Sequence, residues 1–133
     1  MAMILVADDD EDIRELVAAM LERVGHDVVT VPDGSTALDE IVRGVYDVVV
    51  IDNLMPGMTG LEVLVALAAR TDVRRPIMLM ISALATRGDV RRGYLSGADD
   101  FIAKPFTRDQ LVDRVHQLID ERALFESTPL FDA

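Results

Sequence analysis

The sequence predicts an α/β fold, a single doubly wound parallel sheet in which five β-strands alternate with five helices. Three observations carry this expectation. Five short apolar runs punctuate the chain, at Met3–Ala7, Val28–Val31, Val48–Ile51, Ile77–Ile81 and Phe101–Ala103. The third and fourth are apolar at every position, the mark of strands covered on both faces in a parallel sheet rather than half-exposed hairpins. The stretches between the runs repeat apolar residues with helical period, and strict β/α alternation over ~120 residues implies right-handed crossovers with helices on both faces of the sheet.

Each intervening segment has its own signal. Ile13, Leu16, Val17, Met20, Leu21 and Val24 lie on one helical stripe, and Gly25 stops that helix. Ala37, Leu38, Ile41 and Val42 give a shorter stripe closed by Gly44, and Leu61, Leu64, Val65 and Ala68 mark a third helix after Gly60. The fourth, from about Arg87 to Ser96, contains Gly88 and Gly93 and few large apolar residues, which predicts a less stable helix. Thr107 caps a last helix with Leu111, Val112, Val115, Leu118 and Ile119 on one side. From Ala123 onward the segment ALFESTPLFDA contains a Ser-Thr-Pro break. The expected organisation is therefore one domain over 3–122, then a tail or the start of a linker over 123–133.

Composition narrows the functional classes. A length of 133 residues fits one ordinary domain with a real core, and a second folded domain would not fit. Thirteen basic residues against 24 acidic ones leave a net charge of 13 − 24 = −11. Such a surface repels polyanions, so direct nucleic-acid binding by this domain is not expected, and cations and basic partners suit it better. Half the residues are apolar and mean hydropathy is +0.25, unlike a disordered chain. There is no cysteine for a disulfide or a thiolate metal site. No apolar run exceeds seven residues, short of a membrane span, and Met1–Ala7 lacks the charged start of a signal peptide. A cytoplasmic location without membrane association is expected.

In doubly wound sheets the site lies at the C-terminal ends of the strands, which directs attention to the residues there. The first strand runs into five consecutive acids, Asp8 to Asp12. Asp10 to Asp12 suit the first turn of a helix as well as any ligand role. Asp8 and Asp9 stand at the strand end itself, where adjacent carboxylates repel unless a cation or a shared proton intervenes, and hard divalent cations take oxygen ligands. The third strand delivers Asp52, followed by Asn53-Leu54-Met55-Pro56-Gly57, to the same edge. Turn chemistry also explains Asp, Pro and Gly at such a place. If the first and third strands are neighbours, three carboxylates meet in one pocket. The fourth strand ends at Ser82-Ala83, and the fifth at Lys104-Pro105. Lys104 is the only lysine among the 13 basic residues, a compact ammonium able to neutralise a phosphoryl oxygen as a point charge.

Taken in order, these segments resemble the receiver domain of two-component response regulators. The resemblance spans about Met3 to Arg122. It rests on Asp8-Asp9, Asp52-x-x-Met55-Pro56-Gly57-x-x-Gly60, Ser82-Ala83, the Gly97-Ala98-Asp99-Asp100-Phe101 run and Lys104-Pro105-Phe106. It implies a flavodoxin-like sandwich with strand order 2-1-3-4-5. It further implies that Asp52 accepts a phosphoryl group from a partner sensor histidine kinase or phosphotransfer protein in a Mg²⁺-dependent reaction, with Mn²⁺ able to substitute. By the same resemblance Asp9 ligates the metal directly and Asp8 through water, with Asp52 and the backbone carbonyl of Leu54 completing the protein ligands. Ser82 and Lys104 hold the transferred oxygens. Ser82 and Phe101 act as the switch that alters the surface of the fourth helix, fifth strand and fifth helix toward an output domain or target protein, and Lys104-Pro105 is a candidate cis peptide. Phe101 fits equally well as an ordinary core residue.

Other positions individualise the chain. Leu54 and Leu84, each two residues past a site residue, are apolar and unable to orient an attacking water, which implies slow hydrolysis of a phosphoryl group; Leu84 also fits as a packing residue. Asp99, Asp100 and Arg114 match part of the charge pattern with which relatives dimerise through the fourth and fifth helices, while Val90 departs from it. His26 and His116 are expected to be solvated. The competing readings are a pseudo-receiver, an interaction module switched by something other than phosphate, and an enzyme on a similar fold. The first requires a defect in the acid pair, Asp52 or Lys104, and none is present. A haloacid-dehalogenase-like phosphatase needs a carboxylate where Leu54 stands, and a flavodoxin needs a Ser/Thr/Gly-rich loop where this chain has five acids.

Overall fold

The computed structural model describes residues 1–83 and 86–127. Five strands and five helices alternate in the order β1 (Met3–Ala7), α1 (Glu11–Glu22), β2 (Asp27–Val31), α2 (Gly34–Ile41), β3 (Val48–Asp52), α3 (Gly60–Ala68), β4 (Ile77–Ser82), α4 (Arg87–Leu95), β5 (Asp100–Ala103) and α5 (Arg108–Ser127). All strand pairs are parallel, and the sheet order is β2-β1-β3-β4-β5. The expected doubly wound architecture is the one observed.

Alternation along the central strands divides the core into two layers. Ile4 and Val6 of β1, Val48 and Val50 of β3, and Ile77, Leu79 and Ile81 of β4 face Val17 and Leu21 of α1 and Leu111, Val115 and Leu118 of α5. Leu5, Ala7, Val49, Ile51, Met78 and Met80 point the other way, against Ala37 and Ile41 of α2 and Val63, Leu64 and Leu67 of α3. Every residue of β3 and β4 is buried, which is why those two runs carry no polar alternation before their last residue.

Helix starts follow local chemistry. The Asp10 side chain accepts from the N–H groups of Asp12 and Ile13, so this acid caps α1, the structural alternative left open for Asp10. Thr59 and Glu62 form a reciprocal capping box on α3, and Thr107 and Gln110 exchange a similar pair of bonds at the start of α5. Gly25, with φ of +98°, ends the α1 region in a conformation that other residues adopt only with strain. On α4 the sole buried residue is Gly93, in keeping with the weak apolar stripe seen in sequence.

Two expectations require correction. Helix α5 continues to Ser127, so the first five residues of the expected tail are helical; an Arg122–Glu126 ion pair spans that extra turn, and 128–133 lie outside the described residues. The histidines are not separately solvated: both are partly buried, and their Nε2 atoms lie 2.9 Å apart although 90 residues separate them in sequence. No helix among the described residues is long and apolar enough to cross a membrane.

Candidate functional site

Parallel register brings four strand ends level. Ala7 pairs with Ile51, Asp52 with Ile81 and Ser82 with Ala103, so the residues at or just past these positions, Asp8, Asp52, Ser82 and Lys104, emerge on one edge. Asp8, Asp52 and Ser82 are the buried polar residues of the molecule, at 1%, 4% and 0% exposure among the described residues. Asp9, the next residue along, is exposed. The carboxylate oxygens of Asp8, Asp9 and Asp52 lie within 4.8 Å of one another.

Each buried carboxylate is held on two sides. Asp8 accepts from the backbone N–H of Asp10 at 3.0 Å with Oδ1 and from Lys104 Nζ at 3.0 Å with Oδ2. Asp52 accepts from the backbone N–H of Leu54 at 3.0 Å with Oδ1 and from the same ammonium at 3.0 Å with Oδ2. Lys104 thus bridges residues 96 and 52 positions away. Its backbone N–H donates to the Ser82 carbonyl at 2.8 Å, which fixes its root beside β4, and the Lys104–Pro105 peptide is cis. Arg14 donates to the Asp8 carbonyl at 2.9 Å, a contact without any sequence signal because it joins a helix face to a loop carbonyl.

The loop after Asp52 is built on close backbone approach. A Cβ on Gly60 would lie 2.7 Å from the Asp52 carbonyl oxygen and 3.0 Å from Asn53 Cα, so glycine is required there for α3 to start directly under β3. The Asn53 side chain accepts from Leu61 N–H, and the Asn53 carbonyl from Gly60 N–H, tying the loop to that helix. Leu54 is 45% exposed at the lip of the site. Leu84 lies outside the described residues.

Burial pushes the Asp52 carboxyl above its ordinary range; the Leu54 N–H and Lys104 oppose this, and the Asp8 charge adds to it. For Lys104 burial works against the ammonium, but Asp8 and Asp52 outweigh it and hold its pKa above the ordinary value. The two partners differ because one cation serves two carboxylates: the ammonium gains from both, whereas each carboxylate keeps only a share of it. With its folded pKa raised, Asp52 retains a proton in the native state that the unfolded chain releases, so its contribution to stability falls as pH rises from the ordinary carboxylate value of 3.8 through the raised one. Asp52→Asn is therefore expected to stabilise the divalent-free protein at neutral pH, with the gain shrinking as pH falls toward 3.8. Urea midpoints across that range would check it, and a destabilised variant at neutral pH would contradict it.

Three carboxylates, each offering an oxygen within 4.8 Å of the others, suit a hard divalent cation such as Mg²⁺. Asp8, Asp9 and Asp52 are the residues that would hold it.

The matched family model is the response regulator receiver domain, over residues 4–116. The chain belongs to that family. Among curated relatives, the receiver is 40% identical over 112 residues to the DNA-binding response regulator MtrA of Mycolicibacterium smegmatis, covering 84% of this chain and 48% of that protein. It is 38% identical over 112 residues to the transcriptional regulatory protein YrkP of Bacillus subtilis, covering 84% of this chain and 47% of that one. The receiver thus spans about half the length of these relatives. Among solved structures, the receiver domain of the Francisella response regulator 1452 superimposes with a TM-score of 0.85 at 34% identity, covering 92% of this chain and 99% of that one.

The remaining site candidates sit around this receiver's fifth strand. Phe101 is half-buried and packs on the α2/α3 side of the core, where its ring and the Met80 sulfur lie against the backbone of Gly93 on α4. Asp99 accepts from Met78 N–H at 2.7 Å, and Asp100 binds Arg114 at 2.6 Å and the Tyr94 hydroxyl at 2.9 Å. Asp100 thereby joins α4, β5 and α5 within the chain, while Asp99 ties the approach to β5 onto β4.

Proposed function

We propose that this receiver accepts a phosphoryl group on Asp52 from a partner histidine kinase or phosphotransfer protein and switches its α4/β5/α5 surface in response. The observation that carries the reading is the Lys104 ammonium, 3.0 Å from both Asp8 and Asp52, with Asp9 completing an acid cluster at the same point. One Asp52 oxygen attacks the phosphorus of the donor phosphoimidazole. The P–N bond breaks, its electron pair leaves on the imidazole, which takes a proton, and an acyl phosphate forms. Lys104 stands where it can exchange carboxylate partners for a phosphoryl oxygen, and Asp8, Asp9 and Asp52 would hold the divalent ion. Bound there, Mg²⁺ supplies charge neutralisation for the transferring group.

The switch follows from what lies beside the acceptor. Ser82 is at the end of the adjacent strand, and Phe101 lies between the core and α4, a helix with one buried residue and two interior glycines. A helix so weakly anchored changes position at low cost. The output belongs to a further domain or a target protein, in line with the relative MtrA, a DNA-binding response regulator of which the receiver covers 48%. The apolar side chain of Leu54 at the lip of the site supports a long-lived phosphoprotein.

Incubation with Mg²⁺ and acetyl phosphate, followed by intact mass and hydroxylamine treatment, tests the assignment. A labile phosphoryl adduct is expected in the wild type and is expected to be lost in Asp52→Ala. No adduct in the wild type would favour the pseudo-receiver, and an adduct surviving in Asp52→Ala would move the acceptor elsewhere.

A further inference from the structure

At the opposite end of the sheet from the acid cluster lies a cavity of about 750 Å³ that contains both histidines of the chain. His26 follows Gly25 in the turn before β2, and His116 is on α5. Their rings meet edge to face, with centroids 5.1 Å apart and planes inclined by 63°. The Nε2 atoms are 2.9 Å apart, and the backbone N–H of Ala2 donates to His26 Nδ1 at 3.1 Å.

This geometry decides where the protons are. A backbone amide can only donate, so His26 Nδ1 must present a lone pair, and the neutral ring carries its proton on Nε2. That proton is donated to His116 Nε2, which places the His116 proton on Nδ1. The two hydrogen bonds coexist only while both rings are neutral. A further proton on His26 Nδ1 breaks the bond from Ala2, and one on His116 Nε2 sets two N–H groups face to face. A metal ion bridging the rings would need both Nε2 lone pairs, and His26 has committed one to its proton, so the pair is a proton site.

Charged groups approach from each element around it: the amino terminus at Met1, Asp47 before β3, Arg74 before β4, and Asp120, Arg122 and Glu126 on α5. Three cations and three anions offer no net attraction for another positive charge. Asp47 is engaged by Met3 N–H and Arg74, and Glu126 by Arg122. Burial lowers the His26 pKa below its ordinary 6.5, aided by His116 and the amino terminus.

We propose that the His26–His116 bond is a proton-sensitive latch, closed at neutral pH, that fastens the outer half of α5 to the segments entering β1 and β2. With the native His26 value lowered, the latch contributes fully above about pH 6.5 and is lost as pH falls through the window below it. Because α5 belongs to the surface that would carry the output, the latch would make that surface responsive to acid independently of phosphorylation.

Imidazole ¹⁵N spectra of the whole chain at about pH 7.5 should show His26 in the Nε2–H form and His116 in the less common Nδ1–H form. Between about pH 7.5 and 5.5, amide protection factors at Ala2 and at Val115 to Ile119 should fall about tenfold in the wild type. In His116→Gln the side-chain oxygen accepts from His26 Nε2–H whether His26 is neutral or protonated, so protection at Val115 to Ile119 should change little, while Ala2, whose partner His26 still titrates, should still lose protection. Finding both rings in the Nε2–H form, no loss of protection in the wild type, or equal loss at Val115 to Ile119 in the two proteins would overturn the latch. The tautomer measurement needs no variant and decides the matter even if His116→Gln folds poorly.

Discussion

Lys104→Ala is expected to destabilise the divalent-free protein by about 3 kcal/mol, and saturating Mg²⁺ is expected to return more stability to the variant than it adds to the wild type. The reason is the ratio of charges at the strand ends. Two carboxylates that are almost wholly buried share one ammonium at 3.0 Å from each, and the ammonium is itself only 19% exposed. Removing it leaves Asp8 and Asp52 facing each other without compensation, a far larger loss than deleting a surface ion pair. Residual solvent access to Lys104 places the effect at the lower end of what broken buried pairs show. A divalent cation in the Asp8/Asp9/Asp52 cluster would supply the missing charge, so metal and lysine are expected to substitute for each other in stability. Urea denaturation with EDTA and with Mg²⁺ measures both effects. A variant as stable as the wild type in EDTA would mean that the carboxylates are already neutral or hydrated without Lys104.

Gly34→Ala is expected to destabilise by about 3 kcal/mol and to weaken divalent binding. Gly34 opens α2, and a Cβ built there would lie 2.1 Å from the Met58 carbonyl oxygen and 2.8 Å from its carbonyl carbon. Backbone cannot swing aside as a flexible side chain can, so either α2 or the loop from Asp52 to Gly60 must move. That loop carries the Leu54 N–H that holds Asp52 Oδ1, so the disturbance reaches the acid cluster. A lowered urea midpoint together with a raised Mg²⁺ dissociation constant is the expected result. An unchanged midpoint would show that the close approach of Met58 relaxes freely.

The strands were legible because burial on both faces leaves an unbroken apolar run: Val48–Ile51 and Ile77–Ile81 appear in the sheet within a residue of where the pattern places them. Helix starts were legible where one side chain does the capping, as at Asp10 and Thr107. The end of α5 was not, because the Ser-Thr-Pro break looks like a boundary while the ion pair of Arg122 with Glu126 supports a further turn. Among the site residues, Asp8, Asp9, Asp52, Ser82 and Lys104 could be picked out singly, since polar residues that follow an apolar strand directly are conspicuous. What Gly34 and Arg14 do could not, because each acts on a backbone carbonyl, a partner that no side chain marks in the sequence.

The sequence by itself determined the number and order of the elements and which polar residues stand at the strand ends, because periodicity and turn chemistry act over a few neighbours. Without the family resemblance it left open whether β1 lies beside β3, and that adjacency alone turns three separated carboxylates into one cluster. Only the tertiary structure decided it, through the register that buries both faces of the sheet and so sets Ala7 against Ile51 and Ser82 against Ala103. The same packing brings Lys104 to Asp8 and His116 to His26. These contacts cross about 90 residues or more of chain, where no local pattern can record a partner and only the shared cost of leaving charges and polar groups unpaired selects one.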